Sequence, residues 1–555
     1  MTDAHIADLL DRRKELTEDI IASPYDAILY LQRAAVYSDL KYPDLTAGDA
    51  YRALLLVDEA QDESGEFHDQ AREALEEYSA PPYPEVLRHG DLAEEISAAL
   101  DERHRSEGNP ELYQVLAALA SARCFQILSE SLLRCGCLRS AYTFCKRGCD
   151  ALPSNQDLLR TKESIEEKAR ERLGLDAAEQ INVNELPDGG LARREVYPWN
   201  TLEPDRFSDE TLSYLSKQLE TIAPKCSVQI SALPDIPGWK GVAASAETLP
   251  TWNQLGLFAK EDIGPGETVL QEYTLLTANN RLNHSTCDAC GTDLPPLGAD
   301  SSAVNCPDCY DTVFCDEFCF EQAQENYHPA VCETDVDSIA KDPDPANIER
   351  SLYLLLLRRL LALSVHQDIH PLDAKEIKYI WGDFVPPSAN NAANPPEGTL
   401  PFSFIYNVEF PLHILEKMDI DIYATFPRYD TWVFNTAYAK FRGTASARKN
   451  PRDGRPELVA VHPYWCLANH DCNPNVAWDW GGKIALRARE RRVVGDAPGG
   501  IKAGEEILNH YTDVNMSVKD RREWAMGPLG GWCMCKRCRD ESAESASQEL
   551  NGGLT

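Results

Sequence analysis

Two kinds of residue in this chain have the types and spacing to do chemistry. The first are paired thiols: Cys287-x2-Cys290, Cys306-x2-Cys309, Cys315-x3-Cys319 and His328-x3-Cys332. Gaps this short let both side chains of a pair face one ion, as a tetrahedral Zn2+ requires, and eight soft ligands make two ions. Such modules usually interleave their pairs. Cys287, Cys290, Cys315 and Cys319 are therefore assigned to one ion, and Cys306, Cys309, His328 and Cys332 to the other. Protein fills every position, so these ions are read as structural rather than catalytic. The segment has little apolar core, and metal binding would be its folding energy. Near the end of the chain Cys533, Cys535 and Cys538 supply three more ligands, one short of a closed site, and Cys472 is the obvious fourth.

The second kind surrounds that fourth thiol, in Asn469-His470-Asp471-Cys472-Asn473-Pro474-Asn475. Upstream, Ala460 to Ala468 is largely apolar; downstream, Val476 to Trp480 reads as a strand. An Asn-His pair held between buried segments can present side-chain and main-chain groups to a polar ligand. Taken alone, these seven residues also fit a loop with a chance thiol.

Several elements must position these groups. Residues 1–173 are helical in pattern and contain an internal repeat. Phe125 to Pro153 resembles a tetratricopeptide unit, with small residues at Ser129, Ala141 and Gly148 for close helix approach and Pro153 as a stop. An earlier copy runs from Pro24 to about Ala60, joined by Lys41 to Leu45. Cys135, Cys137, Cys145 and Cys149 within it are read as buried helix residues. Residues 174–239 form a linker, in which Arg194 to Asn200 is expected to pack against the following domain. Leu255 to Ala259 and Thr268 to Tyr273 read as strands around the Gly264-Pro265-Gly266 turn. Residues 335–383 are helical, 386–401 a Pro/Asn-rich loop, Leu412 to Phe426 a helix, and Arg442 to Pro456 a basic solvated loop. Lys483 to Arg489 and Glu505 to Leu508 are further strands.

Bulk properties narrow the function classes. The chain has 555 residues, enough for several domains, and a net charge of −36, which repels nucleic acid phosphates and favours basic partners. No apolar run follows a basic start, so no signal peptide is expected. The apolar stretch Leu352 to Val365 is too short to span a membrane. An intracellular protein of nucleus or cytoplasm is expected, with no membrane and no direct nucleic acid contact. Eighteen cysteines in such a chain point to metal rather than disulfides.

Taken together, the Asn469–Asn475 motif, Gly504-Glu505-Glu506 leading to Tyr511, and the final Cys-x-Cys-x2-Cys resemble the SET domain of lysine methyltransferases. The eight-ligand segment, with Phe314 before Cys315, resembles a MYND finger, and its insertion after the first SET strands resembles the SET-and-MYND subgroup. The resemblance covers about residues 240–540. Helical repeats are C-terminal in the best-known members, so a branch with N-terminal repeats suits this chain better.

The resemblance implies a multidomain α+β protein. Helical repeats at 1–173 and the linker at 174–239 precede a mostly β SET domain. Its first part is 240–286, a MYND finger follows at 287–332, a helical insert at 333–434, and the SET core at 435–515. A post-SET zinc site at 516–540 and a tail at 541–555 end the chain. It implies S-adenosylmethionine as cofactor, three structural Zn2+ ions, and a lysine-containing protein substrate such as a histone tail. Protein partners would bind the MYND and repeat regions. Asn469 and His470 match the cofactor-contacting pair, Gly256 and Leu257 the cofactor loop, and Asn435 and Trp532 further cofactor contacts. Tyr511 matches the catalytic tyrosine that also touches the cofactor. The first loop glycine is Gln254 here, and the serine of the family motif is Asp471. The rival reading is a scaffold that acts through protein contacts on a SET fold without turnover.

Overall fold

Asp26 starts the first helical hairpin: its carboxylate accepts from the N–H of Ile28 and Leu29 and satisfies two donors left free at a helix start. The computed structural model describes residues 3–78, 83–87, 112–176, 179–234, 236, 251–282, 285–296, 298, 301–309, 311–382, 384, 399–480, 483–529 and 531–543. Two units emerge: Met1–Pro198 with Phe384–Ala439, and Trp199–Asp383 with Lys440–Thr555. Most of the loop expected at 386–401, the start of the first SET segment and most of the expected tail lie outside the described residues.

The first unit contains α1 (Asp3–Ala22), α2 (Ala27–Asp39), α3 (Pro43–Gln61), α4 (His68–Glu76), α5 (Leu112–Cys135), α6 (Leu138–Ala151) and α7 (Gln156–Leu173). α2 packs on α3, α3 on α5, and α5 on α6, with Ala34, Ala50, Leu54, Val57, Leu128, Leu132 and Ala141 fully buried. Gly148 permits a close approach of α6 to α5 and α7: an added Cβ would fall 3.0 Å from Phe125 Cβ and 2.9 Å from Leu158 Cδ2. The first hairpin's join is shorter than expected. Pro43 already stands at the first turn of α3, where its missing N–H costs nothing. Tyr113–Cys135 is long and apolar enough to cross a membrane, yet 72% of its apolar window is buried among the other helices.

Two expectations are corrected here. Tyr197, in the stretch Arg194 to Asn200, packs within the first unit: it lies 5.6 Å from Tyr42 and 6.1 Å from Trp432, ring to ring. Residues 384–439, expected to belong with the SET insert, group with the first unit; within it β1 (Gly190–Ala192) pairs antiparallel with Leu400–Phe402.

The second unit begins with α8 (Asp209–Ile222), capped by Ser208 and packed on β2 (Cys226–Pro234). β2 pairs antiparallel with β3 (Thr251–Ala259), Val228 opposite Leu257. β4 (Thr268–Tyr273) and β5 (Thr277–Asn279) lead to the cysteine-rich segment, whose α9 spans Glu317–Asn326, and then to α10 (Ile348–Gln367). The basic stretch 442–456, expected as a loop, is ordered. A helix continues to Thr444, and β6 (Ala445–Lys449) pairs with β7 (Pro456–Val461), which in turn pairs with β5. Lys449 is exposed at the strand end and Arg448 pairs with Glu457, charges that hide the strand pattern in the sequence. β8 (Val476–Trp480) and β9 (Lys483–Ala488) extend a sheet ordered β4–β9–β8, and α11 (Val518–Leu529) precedes the last cysteines. Leu215, Leu219, Val228, Leu255, Leu257, Leu270, Val476, Ile484, Leu486 and Ile507 make one core. Each fully buried side chain of this size contributes about 1.5–3 kcal/mol.

Candidate active site and metal centres

Three ligand sets assemble in the second unit, each with all four ligand atoms within 4.8 Å of one another: Cys287/Cys290/Cys315/Cys319, Cys306/Cys309/His328/Cys332 and Cys472/Cys533/Cys535/Cys538. A tetrahedral Zn2+ with bonds of about 2.3 Å sets sulfur–sulfur separations near ~3.8 Å. Cys290–Cys315 and Cys306–Cys332 are both at 3.8 Å, Cys315–Cys319 at 3.6 Å, and Cys309 Sγ is 3.7 Å from His328 Nε2. In the third set Cys472 lies 3.8 Å from Cys533 and 3.4 Å from Cys538. Each set can hold zinc. Donors stand behind the sulfurs: Tyr273 O–H donates to Cys319 Sγ and an Arg521 N–H to Cys538 Sγ, both at 3.7 Å. Among the described residues Cys135, Cys137, Cys145 and Cys149 join no such set.

The Asn-His segment crosses a second stretch, Glu505 to Tyr511. That stretch does not form the regular strand expected; it is held by single bridges. Ile507 N–H donates to Leu257 C=O at 2.7 Å, and Asn475 N–H to Leu508 C=O at 3.1 Å. A parallel bridge joins His470 and Asn509, using Asp471 N–H to Asn509 C=O and Asn509 N–H to Asn469 C=O. His470's own main-chain N–H and C=O stay out of that bridge. Its imidazole Nδ1 accepts from Tyr511 N–H at 2.9 Å, so Nε2 carries the proton and faces Cys472 Sγ at 3.4 Å. The Tyr511 O–H donates to Ala468 C=O at 3.1 Å, and burial pushes its pKa up, keeping the phenol neutral. Beside Tyr511 opens a cleft of about 650 Å3, lined also by Trp478, Arg489, Arg492, Thr512 and Asp513.

Residues 254–512 match the SET domain family model. This chain carries a SET domain. It is similar to the SET domain-containing protein SmydA-8, isoform B, of Drosophila melanogaster, 26% identical over 349 residues, 61% of this chain and 66% of that protein. It is also similar to N-lysine methyltransferase SMYD2-A of Danio rerio, 33% identical over 96 residues, 17% of this chain and 20% of that protein. Histone-lysine N-methyltransferase set5 of Schizosaccharomyces pombe is 36% identical over 73 residues, 13% of this chain and 21% of that protein. The chain therefore spans 66% of the first relative's length and about a fifth of the other two. A solved SET domain of LSMT, bound to lysine and AdoHcy, aligns at 16% identity with a TM-score of 0.23, covering 58% of this chain and 57% of that chain, too loosely to place any residue.

Within this SET domain the expected contacts separate. Asn469, His470 and Tyr511 meet, as described. Gly256 is needed for close approach, but to protein: an added Cβ would fall 2.5 Å from Glu506 Oε1 and 3.1 Å from Asn469 Nδ2. The Asn469 amide donates to Leu255 C=O at 3.1 Å and Glu506 Oε1 at 2.7 Å, so its side chain braces β3. The Leu257 side chain is wholly buried in the sheet core, which leaves its main chain to the loop. Asn435 is corrected. It lies in the first unit, 1% exposed, donating to Asp44 Oδ2 at 2.8 Å and accepting from Asn407 Nδ2 at 3.0 Å, so its amide is spent inside that unit. Trp532 is half-buried beside Cys533, with the Arg522 guanidinium 5.3 Å from its ring centroid.

Three residues hold positions that the sequence reading did not assign to them. Glu506 accepts from Asn469 and from Ser231 Oγ at 3.0 Å; the Gly-Glu-Glu motif was its only signal. Buried Glu272 accepts the N–H groups of Tyr464 and Trp465, fixing the turn that leads to Asn469. Gln254, in place of the loop glycine, accepts from Arg206, whose guanidinium lies 4.7 Å from the Trp381 ring centroid. Such pairings across the sequence leave no local pattern.

Proposed function

We propose that this protein transfers a methyl group from S-adenosylmethionine to a lysine side chain of another protein. The observation that carries the reading is the crossing of the Asn469-His470 and Asn509–Tyr511 segments beside the cleft, inside a SET domain. The main-chain N–H and C=O of His470 are a donor–acceptor pair that suits the amino edge of a purine, and Gly256, Asn469 and Glu506 hold the neighbouring strand against them. The cofactor supplies an electrophilic methyl group.

The chain's own residues do the rest. Tyr511 Oη and Ala468 C=O form a pair of oxygens to which an incoming amine can donate, aiming its lone pair. In-line positioning of this kind supplies much of the acceleration in a displacement. Tyr511 acts as a neutral orienting group rather than a base, and desolvation favours the uncharged lysine amine.

The three thiol-rich sets would hold one structural Zn2+ each, and residues 287–332 would form a MYND-type module that, with the helical repeats, engages protein partners. Support for this reading comes from the tetrahedral spacing of the donors and the relatives' names. Methyl-labelled S-adenosylmethionine incubated with the protein and candidate lysine-containing proteins tests it, alongside calorimetry of the cofactor. Labelled protein and saturable cofactor binding are expected; failure to bind S-adenosylmethionine would leave only the scaffold reading.

A further inference from the structure

The cleft beside Tyr511 is basic in a chain that is strongly acidic. Three arginines, Arg489, Arg491 and Arg492, follow β9 and line it. Two are neutralised within the fold: Arg491 pairs with Asp496 at 2.6 Å, and Arg492 lies 3.5 Å from Glu505 and donates to Gly500 C=O at 3.1 Å. Arg489 differs. Its Nε donates to Val476 C=O at 3.0 Å, which fixes the side chain, and no carboxylate among the described residues pairs with its guanidinium. Burial is what acts on its titration, lowering it. Asp513, the acidic group of the same cleft, uses its carboxylate to accept from Asn515 N–H at 2.9 Å. Thr512, 2% exposed, lines the same wall. Trp478 lies 6.1 Å from His510, ring to ring, at the side of the cleft.

A fixed, partly desolvated guanidinium that pairs with no carboxylate among the described residues suits an anionic ligand group. A guanidinium binds a carboxylate through parallel N–H bonds that a lysine or an amide cannot match. We propose that the cleft reads an acidic side chain flanking the target lysine, with Arg489 as the selecting charge. This rests on the reading of Tyr511 as the residue that faces the lysine amine. The substrate class is then a protein segment in which lysine neighbours aspartate or glutamate, the reverse of what the net charge alone favours. Bulk charge governs long-range encounter, whereas this contact acts at bonding distance.

Short synthetic peptides with one central lysine, flanked on both sides by glutamate, alanine or lysine, test the proposal. Two readouts are taken: methyl transfer, and direct binding by fluorescence anisotropy, which needs no turnover. The native protein should favour the glutamate-flanked peptide over the alanine-flanked one by about tenfold in both, less at high salt. Arg489→Gln should bring that ratio close to one, Arg489→Lys should keep part of it, and Arg489→Glu should invert it towards the lysine-flanked peptide. Thermal melts and the calorimetric affinity for S-adenosylmethionine, both unchanged in Arg489→Gln, show that fold and cofactor site are intact.

Equal use of the three peptides by the native protein overturns the proposal, as does a preference that survives Arg489→Gln. So does weakened cofactor binding in Arg489→Gln with the peptide ratio intact, which would place the arginine on the cofactor's carboxylate. Acid-selective peptide binding without any methyl transfer would instead sink the enzymatic reading and leave the acidic-peptide site standing.

Discussion

The main-chain N–H of Tyr511 donates to His470 Nδ1 at 2.9 Å, and the two rings lie 5.1 Å apart at 41°. One imidazole thus holds the residue proposed to meet the lysine, while its other nitrogen faces the Cys472 sulfur. The third thiol set and the candidate catalytic residue are mechanically joined through a single side chain.

That junction makes Cys472→Ser informative. Elemental analysis of the native protein should give three zinc ions per chain, one for each set, and the variant should give two. Backbone amides around Cys533–Cys538 should exchange faster, and methyl transfer should fall as a consequence. Three ions in the variant would refute the shared site.

Gly256 and Glu506 should be coupled. Gly256→Ala brings a Cβ to 2.5 Å from Glu506 Oε1, and the resulting strain should cost about 1–3 kcal/mol. Glu506→Ala removes that clash but leaves the Asn469 amide with one partner fewer, a loss of about 1–3 kcal/mol. Urea unfolding of both single variants and the double variant should show non-additivity. Strict additivity would mean that the two residues do not meet.

Asn435→Ala separates fold from site. Losing its bonds to Asp44 and Asn407 should lower stability by about 2–3 kcal/mol while the affinity for S-adenosylmethionine, measured by calorimetry on folded protein, stays as it was. A weakened cofactor affinity would restore Asn435 to the site.

Glu272 gives a pH signature. Burial without a cation pushes its carboxyl up to about 8, whereas an unfolded glutamate titrates near ~4.3. The folded state therefore binds the proton more tightly. Its contribution is fully present below the unfolded value and is lost as pH rises through the folded one. Glu272→Gln should remove this dependence, so the variant should gain on the native protein between about pH 4.3 and 8 and hold that gain above it. A stability difference that is flat across this range contradicts the assignment.

Ligand sets and strands were legible in the sequence for a shared reason: short-range geometry. Cys287 and Cys290, or Cys533 and Cys535, are close enough that spacing alone brings their sulfurs to one point. The strand around Leu255–Leu257 shows as an apolar run. Arg448 and Lys449 misled because charges at a strand end and turn look like a solvated loop. Asn435 misled because an asparagine in an apolar helix looks functional when its partner, Asp44, lies 391 positions away. The extent of the helix after Leu412, which ends at Lys417, was overread from apolar residues that pack as turns. Glu506 and Glu272 act through groups far along the chain, and only the fold reveals their partners.

The most direct measurement is transfer of a labelled methyl group from S-adenosylmethionine to a lysine peptide, comparing the native protein with Tyr511→Phe. The native protein should label the lysine, and the variant, folded and still binding cofactor, should be slower by about a hundredfold once the orienting hydroxyl is gone. No labelling by the native protein, or equal rates for the two, would contradict the account.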